Sequence, residues 1–283
     1  MTSLWLPMLA DSTEPRQLDR YIDDNNWWMN QKLDGDRLLI YVENGVVNAL
    51  NRKGREKTRG VNHRLLAPFE EFNAGRFVFD GELLGDGMLH IFDVPFATSL
   101  GVERNTPLDE RTKVLDMIFD LWHPTGIVKV ATARTAAEKA LMVKIAMESQ
   151  LEGVMIKRAN GLYVNKRSSS WLKAKFVKDA DFIVTAIGQE GKTNAVLGLI
   201  DPDRGTVVEV GRASAIGKAN PQPGEVWTVR YLYCVDPRNP RLYQPRLMHR
   251  RTDKQLSECT IDQLDGSYTD RNYIITKSRE EEV

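Results

Sequence analysis

The chain is short of several features that would assign it to a class at once. It has two cysteines in 283 residues, and Cys234 and Cys259 stand far apart without metal-ligand spacing. That excludes a disulfide-stapled scaffold and a cysteine metal cluster, and it makes a reducing compartment, the cytoplasm, the expected location. No apolar run approaches the length needed to cross a bilayer, so no membrane partner is expected. The opening Met1-Thr2-Ser3-Leu4-Trp5-Leu6-Pro7 lacks the basic and then long apolar pattern of a secretory signal. No internal repeat or low-complexity linker is present. Net charge is zero, which removes any global pull toward a polyanion.

What is present is an ordinary globular composition, 28% charged and 42% hydrophobic, with length enough for two modest domains. Charge is uneven locally. Between Lys157 and Lys178 the basic residues Lys157, Arg158, Lys166, Arg167, Lys173, Lys175 and Lys178 meet no acid, and from Arg238 to Lys254 only Asp253 opposes the cations. Such strips can follow a phosphate backbone, although an isolated strip is more often a solvated surface.

The periodicity indicates an α+β chain. Ser12 or Thr13 is expected to cap a helix running through Arg16, Leu18, Tyr21 and Ile22. The runs 37–42 and 45–50 read as strands joined at Asn44-Gly45, a hairpin signal. Residues 77–79 and 89–92 read as further strands, broken by Gly85-Asp86-Gly87. Thr106-Pro107 opens an amphipathic helix with Leu108, Leu115, Ile118 and Phe119 on one face. Thr135 with Glu138 forms a capping box for a helix to about Glu148, and 154–156 returns to strand. Beyond Lys178, the runs 182–187, 207–210 and 225–233 are short strands between Gly, Asp and Pro turns, which suits a small β-barrel. The boundary is expected near Lys178 to Ala180, giving domains 1–178 and 179–283. The acidic Glu280-Glu281-Glu282 is expected to fray.

Six short motifs follow one another in order: Lys32-Leu33-Asp34-Gly35-Asp36-Arg37, Asn51-Arg52-Lys53-Gly54, Asp80-Gly81-Glu82, Glu152-Gly153-Val154-Met155-Ile156-Lys157, Lys173-Ala174-Lys175 and Arg251-Thr252-Asp253-Lys254. Each is weak alone, but the ordered set is hard to obtain by chance. A lysine becomes nucleophilic when desolvation or nearby positive charge favours its neutral form, and Lys32 has Gly35 for a tight turn and Arg37 as a planar fork for phosphate. On its own this motif could equally be a hairpin entry. The carboxylates of Asp80-Gly81-Glu82, expected at a strand end, can accept ribose hydroxyls or hold a divalent cation. Phe92 can stack on a purine or be simple core. Glu152 suits a magnesium ligand, with Gly153 marking a bend beside it. Lys173 and Lys175 share a strand face, where two ammonium groups need an anion such as a triphosphate between them. The dense cations before and within Arg251-Thr252-Asp253-Lys254 look out of place as a folding element and suit a phosphate clamp.

Together the motifs resemble those of the covalent nucleotidyltransferases, most closely the minimal ATP-dependent DNA ligases, over nearly the whole chain from Lys32 to Lys254. The resemblance implies an ATP-grasp-like ligase adenylation domain of antiparallel sheets with flanking helices, followed by an OB-fold barrel. It implies ATP with magnesium or manganese as cofactors and nicked double-stranded DNA as the partner of a monomeric enzyme. Lys32 would take AMP from ATP, pass it to the 5′-phosphate of a nick, and let the 3′-hydroxyl displace it. Lys32, Arg37, Lys173 and Lys175 would be catalytic. Arg37 and Arg52 would contact ribose, nick ends or DNA phosphate, Glu82 the ribose, and Phe92 the adenine. Glu152 and Glu82 would bind metal, Lys173 and Lys175 would hold the α-phosphate, and Lys157 matches the end of its motif. Arg251, Asp253 and Lys254 would orient the leaving pyrophosphate.

Three positions depart from the family pattern: Asn30 replaces an acid, Asn51 a Ser or Thr, and Leu247 an aromatic. Only 31 residues precede Lys32, so DNA contact is expected to rest on the two core domains and to be strongly salt-sensitive. Within the same chemistry, an RNA ligase or an mRNA capping guanylyltransferase is the alternative. Outside it, the alternative is a non-catalytic OB-type nucleic-acid-binding protein, which would have no need of Glu82 or Glu152.

Overall fold

The computed structural model describes residues 6–188, 194–214, 220–236 and 239–264; Arg238 of the second basic strip and the tail Glu280-Glu281-Glu282 lie outside them. Two compact units divide the chain. The described residues of Met1–Ile145 and Gly153–Ala174 make up the first, those of Ala146–Glu152 and Lys175–Val283 the second.

In chain order the first ten strands are β1 (Leu9–Thr13), β2 (Trp27–Gln31), β3 (Asp36–Glu43), β4 (Val46–Asn51), β5 (Arg76–Leu83), β6 (Leu89–Ala97), β7 (Ile127–Lys129), β8 (Thr132–Ala133), β9 (Gly153–Arg158) and β10 (Arg167–Lys175). The helices are two single turns, α1 (Asp19–Ile22) and α2 (His63–Leu66), and two longer ones, α3 (Leu108–Leu121) and α4 (Ala136–Glu148). One sheet has the order β4-β3-β5-β6-β7, the other β1-β10-β9-β2-β8. The β3–β4 hairpin turns at Asn44 and Gly45, whose φ values of 49° and 79° supply the left-handed pair that such a turn requires.

Strand β3 is apolar on both faces because both are covered. Leu38 and Ile40 join Phe69, Phe79 and Trp122 under α2 and α3, while Leu39 between them joins Met8, Val78, Tyr163 and Trp171 on the opposite side. Each such fully buried side chain contributes roughly 1.5–3 kcal/mol relative to exposure. The second cluster lies against the residues expected to bind nucleotide, so one sheet both builds the core and presents the site.

The second unit contains β11 (Lys178–Ile187), β12 (Asn194–Asp201), β13 (Thr206–Ser214), β14 (Val226–Tyr231), β15 (Cys234–Val235), β16 (Arg241–Leu242) and β17 (Arg246–Arg251). Strands β11, β12, β13, β17 and β14 close a barrel in that order. Its interior is filled by Phe182, Leu197, Leu199, Val229 and Tyr231 among others, with Phe182 and Tyr231 edge to face at 5.9 Å. Gly198 is required on β12, since a Cβ there would stand 2.6 Å from both Thr185 and Val207 side-chain carbons.

Four expectations are corrected. The helix expected through Arg16, Leu18, Tyr21 and Ile22 is broken into a 3-10 turn over Pro15–Gln17 and the single turn α1, and its expected caps Ser12 and Thr13 instead end β1, which pairs in parallel with β10. The sheets are mixed rather than antiparallel: β1–β10 and β6–β7 are parallel pairs. Asn194–Asp201 was not foreseen as a strand; the glycine at its centre hides it from a propensity reading. The cationic Arg246–Arg251 is itself a folding element, the barrel strand paired with β14. Leu247 faces the core, whereas Arg246, Met248, His249 and Arg250 are exposed.

Candidate active site

A cleft in the first unit is lined by Lys32, Arg37, Glu82, Phe92, Lys157 and Trp171, with Asn30 and Met155 among its other walls. Three of the six motifs supply residues to it, those at 32–37, 80–82 and 152–157. Lys32 follows β2, and its backbone N–H donates to the Gly153 carbonyl at 2.8 Å. Gly153 has a φ of 145°, a conformation that a side chain would oppose. Gly35 has no left-handed φ; it is needed because a Cβ would overlap the Leu83 carbonyl oxygen. The turn after Lys32 therefore presses its backbone directly on β5.

Arg37 on β3 stands opposite Glu82 on β5. Its guanidinium is gripped by Asp80, Nε to Oδ1 and Nη2 to Oδ2, both at 2.5 Å. Tyr163 Oη donates to Asp80 Oδ2 at 2.6 Å and itself accepts the Met8 N–H at 3.0 Å. Burial opposes the Arg37 charge, but the charge and hydrogen bonds of Asp80 outweigh it and hold the guanidinium above its ordinary pKa. Burial together with the Asp80 charge keeps the Tyr163 hydroxyl protonated well above its usual value. Asp80 is fully buried within β5 rather than solvated at a strand end, so it is occupied as the anchor of Arg37.

Phe92, on β6, lies 4.7 Å by its ring centroid from the Arg37 guanidinium carbon and 4.6 Å from Lys157 Nζ. Trp171, on β10, meets Phe92 edge to face at 6.2 Å and places its own ring 4.5 Å from Lys157 Nζ. Lys157 is 2% exposed, and its hydrogen bond to the Phe92 carbonyl is long, 3.4 Å. Burial pulls its ammonium pKa down to about 8, with Asp93 and Asp80 only partly restoring the charge. The residue after Phe92, Asp93, is paired with Arg111 of α3 at 2.8 and 2.9 Å, and both side chains are buried. This pair fixes the strand that presents the ring.

The other motif residues fall elsewhere. Arg52 is exposed in the turn after β4, where Asn51 Oδ1 accepts the Lys53 and Arg55 N–H groups at 2.9 and 3.1 Å, so the departure at Asn51 preserves a turn-closing acceptor. Asn30 donates to the Ala131 carbonyl and Thr132 Oγ1 at 2.8 and 2.9 Å, tying β2 to β8. Lys173 is half-buried on β10, outside the cleft lining. Glu152 and Lys175 belong to the second unit, where Lys175 Nζ meets the nearly buried Glu152 carboxylate at 2.6 Å. Glu152 is thus the anion that faces Lys175 in this structure. Arg251, Asp253 and Lys254 also belong to the second unit; Arg251 donates to both Asp253 oxygens at 2.8 Å. That hydrogen bonding lowers the Asp253 carboxyl to about 2.

Sequence reading passed over Trp171, Tyr163, Asp93, Arg111 and Asp181 as site residues. One signal existed: Arg111 interrupts the apolar stripe of α3 at Leu108, Leu115 and Ile118, and a charge on such a stripe calls for a buried partner. Tyr163 and Trp171 gave none, because their contacts join residues distant in sequence.

Residues 87–175 match the family model described as ATP dependent DNA ligase domain. The chain is 27% identical over 204 residues to the multifunctional non-homologous end joining protein LigD of Pseudomonas aeruginosa, covering 62% of this chain and 24% of that protein. It is 28% identical over 219 residues to a probable DNA ligase of Anaeromyxobacter, covering 64% and 41%. The chain thus spans well under half the length of these curated relatives. A solved structure of mycobacterial DNA ligase D complexed with ATP and MES aligns over 92% of this chain and 99% of that one, with a TM-score of 0.54 and 21% identity, a likeness of fold. The resemblance to the ATP-dependent DNA ligases read from the motifs holds, and residues 87–175 are the stretch that matches that family's model.

Proposed function

We propose that the protein is an ATP-dependent DNA ligase that seals 5′-phosphate/3′-hydroxyl nicks through a lysyl-AMP intermediate. The observation that carries this is the convergence of Lys32, Arg37, Glu82, Phe92 and Lys157, from separate stretches of sequence, on one cleft. The Lys32 amine attacks the α-phosphorus of ATP, an N–P bond forms, the bond to the bridging oxygen breaks, and pyrophosphate leaves with that electron pair. The nick's 5′-phosphate then takes the AMP, and its 3′-hydroxyl displaces it. Glu82 accepts the ribose hydroxyls and Phe92 packs on the adenine, while Arg37, held by Asp80, offers its remaining N–H donors to ribose or phosphate. Lys173 and Lys175 neutralise the α-phosphate, Arg52 contacts the nick or its phosphates, and Lys157 adds positive charge to the wall. Arg251, Asp253 and Lys254 orient the pyrophosphate. Catalysis is then mainly positioning and charge neutralisation.

Glu82 and Glu152 are the carboxylates for magnesium or manganese, which would supply charge to the phosphate oxygens. Oxygen donors suit such hard cations, which are commonly held by one or two carboxylates with substrate phosphates completing the coordination. On this reading the adenylation domain is 1–178 and an OB-fold domain is 179–283, and the closed barrel of β11, β12, β13, β17 and β14 supports the second. Nicked duplex DNA is the partner, and a monomer suits an enzyme that closes around a duplex. The free, buried Cys234 and Cys259 support a cytoplasmic setting, and among the described residues no helix is long and apolar enough to cross a membrane.

The test is nick sealing by purified protein with ATP and magnesium. Sealing is expected from the wild type and not from Lys32→Ala. Labelling by GTP but not ATP would overturn the ligase reading in favour of a capping enzyme, and sealing of nicked RNA but not DNA would favour an RNA ligase.

A further inference from the structure

The cations of the last motif are held by a residue outside every motif. Asp181, on β11, is mostly buried, and its two oxygens divide their work. Oδ2 accepts from Arg251 Nη1 at 2.8 Å and from Lys254 Nζ at 3.0 Å, whereas Oδ1 accepts from Thr228 Oγ1 at 2.5 Å. The backbone of Asp181 is pinned too: its N–H donates to Gln263 Oε1 at 3.1 Å and its carbonyl accepts from Gln263 Nε2 at 2.9 Å. Burial works against the carboxylate charge, but hydrogen bonds from Thr228 and Lys254 and the nearby cations hold the group below its ordinary pKa, so it is an anion at neutral pH.

Two donors converging on one oxygen are confined to within about 6 Å of each other. Without that oxygen, a guanidinium and an ammonium repel and their flexible stems diverge. Arg251 also spends Nε and Nη2 on Asp253, so its plane is fixed from two sides. The remaining N–H donors of Arg251 and Lys254 are thereby presented together, at a spacing that one diphosphate can bridge.

We propose that Asp181 is a positioning residue for the leaving pyrophosphate, setting the spacing of Arg251 and Lys254 through a single carboxylate oxygen. This rests on the reading in which those two cations orient pyrophosphate. Its signature is confined to the reactions that involve pyrophosphate. Sealing of a nick that already carries AMP on its 5′-phosphate involves none.

The experiment compares the full chain with Asp181→Asn, which keeps the shape, and Thr228→Val, which leaves Oδ2 in place and releases Oδ1 together with the 3.2 Å contact of Thr228 Oγ1 with His249 Nε2. Three reactions are timed: lysyl-AMP formation from ATP, discharge of lysyl-AMP by added pyrophosphate, and sealing of a pre-adenylated nick without ATP. In Asp181→Asn the first two are expected to slow about tenfold, less than the loss of a direct oxyanion donor, while the third stays within about twofold. Thr228→Val should move the first two in the same direction by a smaller factor, and it serves alone if Asp181→Asn does not fold. Equal slowing of all three reactions, or no slowing of the first two in the folded variant, overturns the inference. Arg251→Ala separates the layers. If it forms lysyl-AMP at the wild-type rate, the assignment of that cation to pyrophosphate fails and this inference with it; if it is slow while Asp181→Asn is not, only the role of Asp181 fails.

Discussion

Arg37 and Arg251 are held in the same way in very different surroundings. Each guanidinium is gripped through two nitrogens by the two oxygens of an aspartate, at 2.5 Å for Arg37 with Asp80 and 2.8 Å for Arg251 with Asp253. The side chains of the first pair are 15% and 0% exposed, those of the second 31% and 67%. A buried pair cannot part without stranding a charge in a low dielectric, so Arg37 is a fixed piece of the cleft wall. An exposed pair is exchangeable, because water or another anion can replace the carboxylate at little cost. The ligase reading assigns the fixed arginine to the site where nucleotide stays through the reaction, and the exchangeable one to a product that must depart.

The largest expected effect comes from breaking the buried member. Asp80→Ala leaves Arg37 without its partner and Tyr163 without its acceptor, and should cost about 3–5 kcal/mol of unfolding free energy, read by denaturant titration. A loss too small to resolve would dissolve the contrast. Next is Lys157, a buried cation of the cleft wall. Its folded pKa of about 8 lies below the ordinary 10.5, so between these values the unfolded chain binds more protons and stability rises with pH. Below about pH 8 the burial penalty is present in full. Lys157→Met should therefore gain stability over the wild type near pH 7, by about 3 kcal/mol at most, and lose that advantage by pH 10.5. A difference that does not vary with pH would mean that the ammonium is not buried as described. The smallest effect is expected from Asp253→Ala, which should leave the melting temperature close to that of the wild type. A destabilisation matching that of Asp80→Ala would show the two pairs to be alike.

What could be read in the sequence was what is local in the chain. Asn44-Gly45 closes its hairpin through its own backbone angles, and Glu138 reaches only to the Thr135 and Arg134 N–H groups. The strand at residues 9–13 is hidden from a local reading, which sees only a helix cap at Ser12 or Thr13, because its partner is β10, more than 150 residues away. The β17 strand was read as out of place because its outward cations outnumber the inward Leu247 that commits it to the barrel. The site divides on the same line. Lys32, Arg37, Glu82 and Lys157 are visible as motif residues and Phe92 as a candidate base platform, and the cleft brings them together. Their supports were not visible: Asp80 was read as a ligand group although Tyr163 and Arg37 occupy it, and no pattern connects Trp171 with Lys157. Conversely Arg251, Asp253 and Lys254 were visible, but Asp181, which gathers two of them, is a single acid just ahead of the run 182–187 that reads as a strand.

The whole account depends on where adenylate becomes attached. Peptide mapping of the protein after incubation with ATP and magnesium, by mass spectrometry under conditions that preserve phosphoramidates, is predicted to find AMP on the peptide containing Lys32 and on no other. An adduct on a different side chain, or none with ATP under any metal condition, would contradict it.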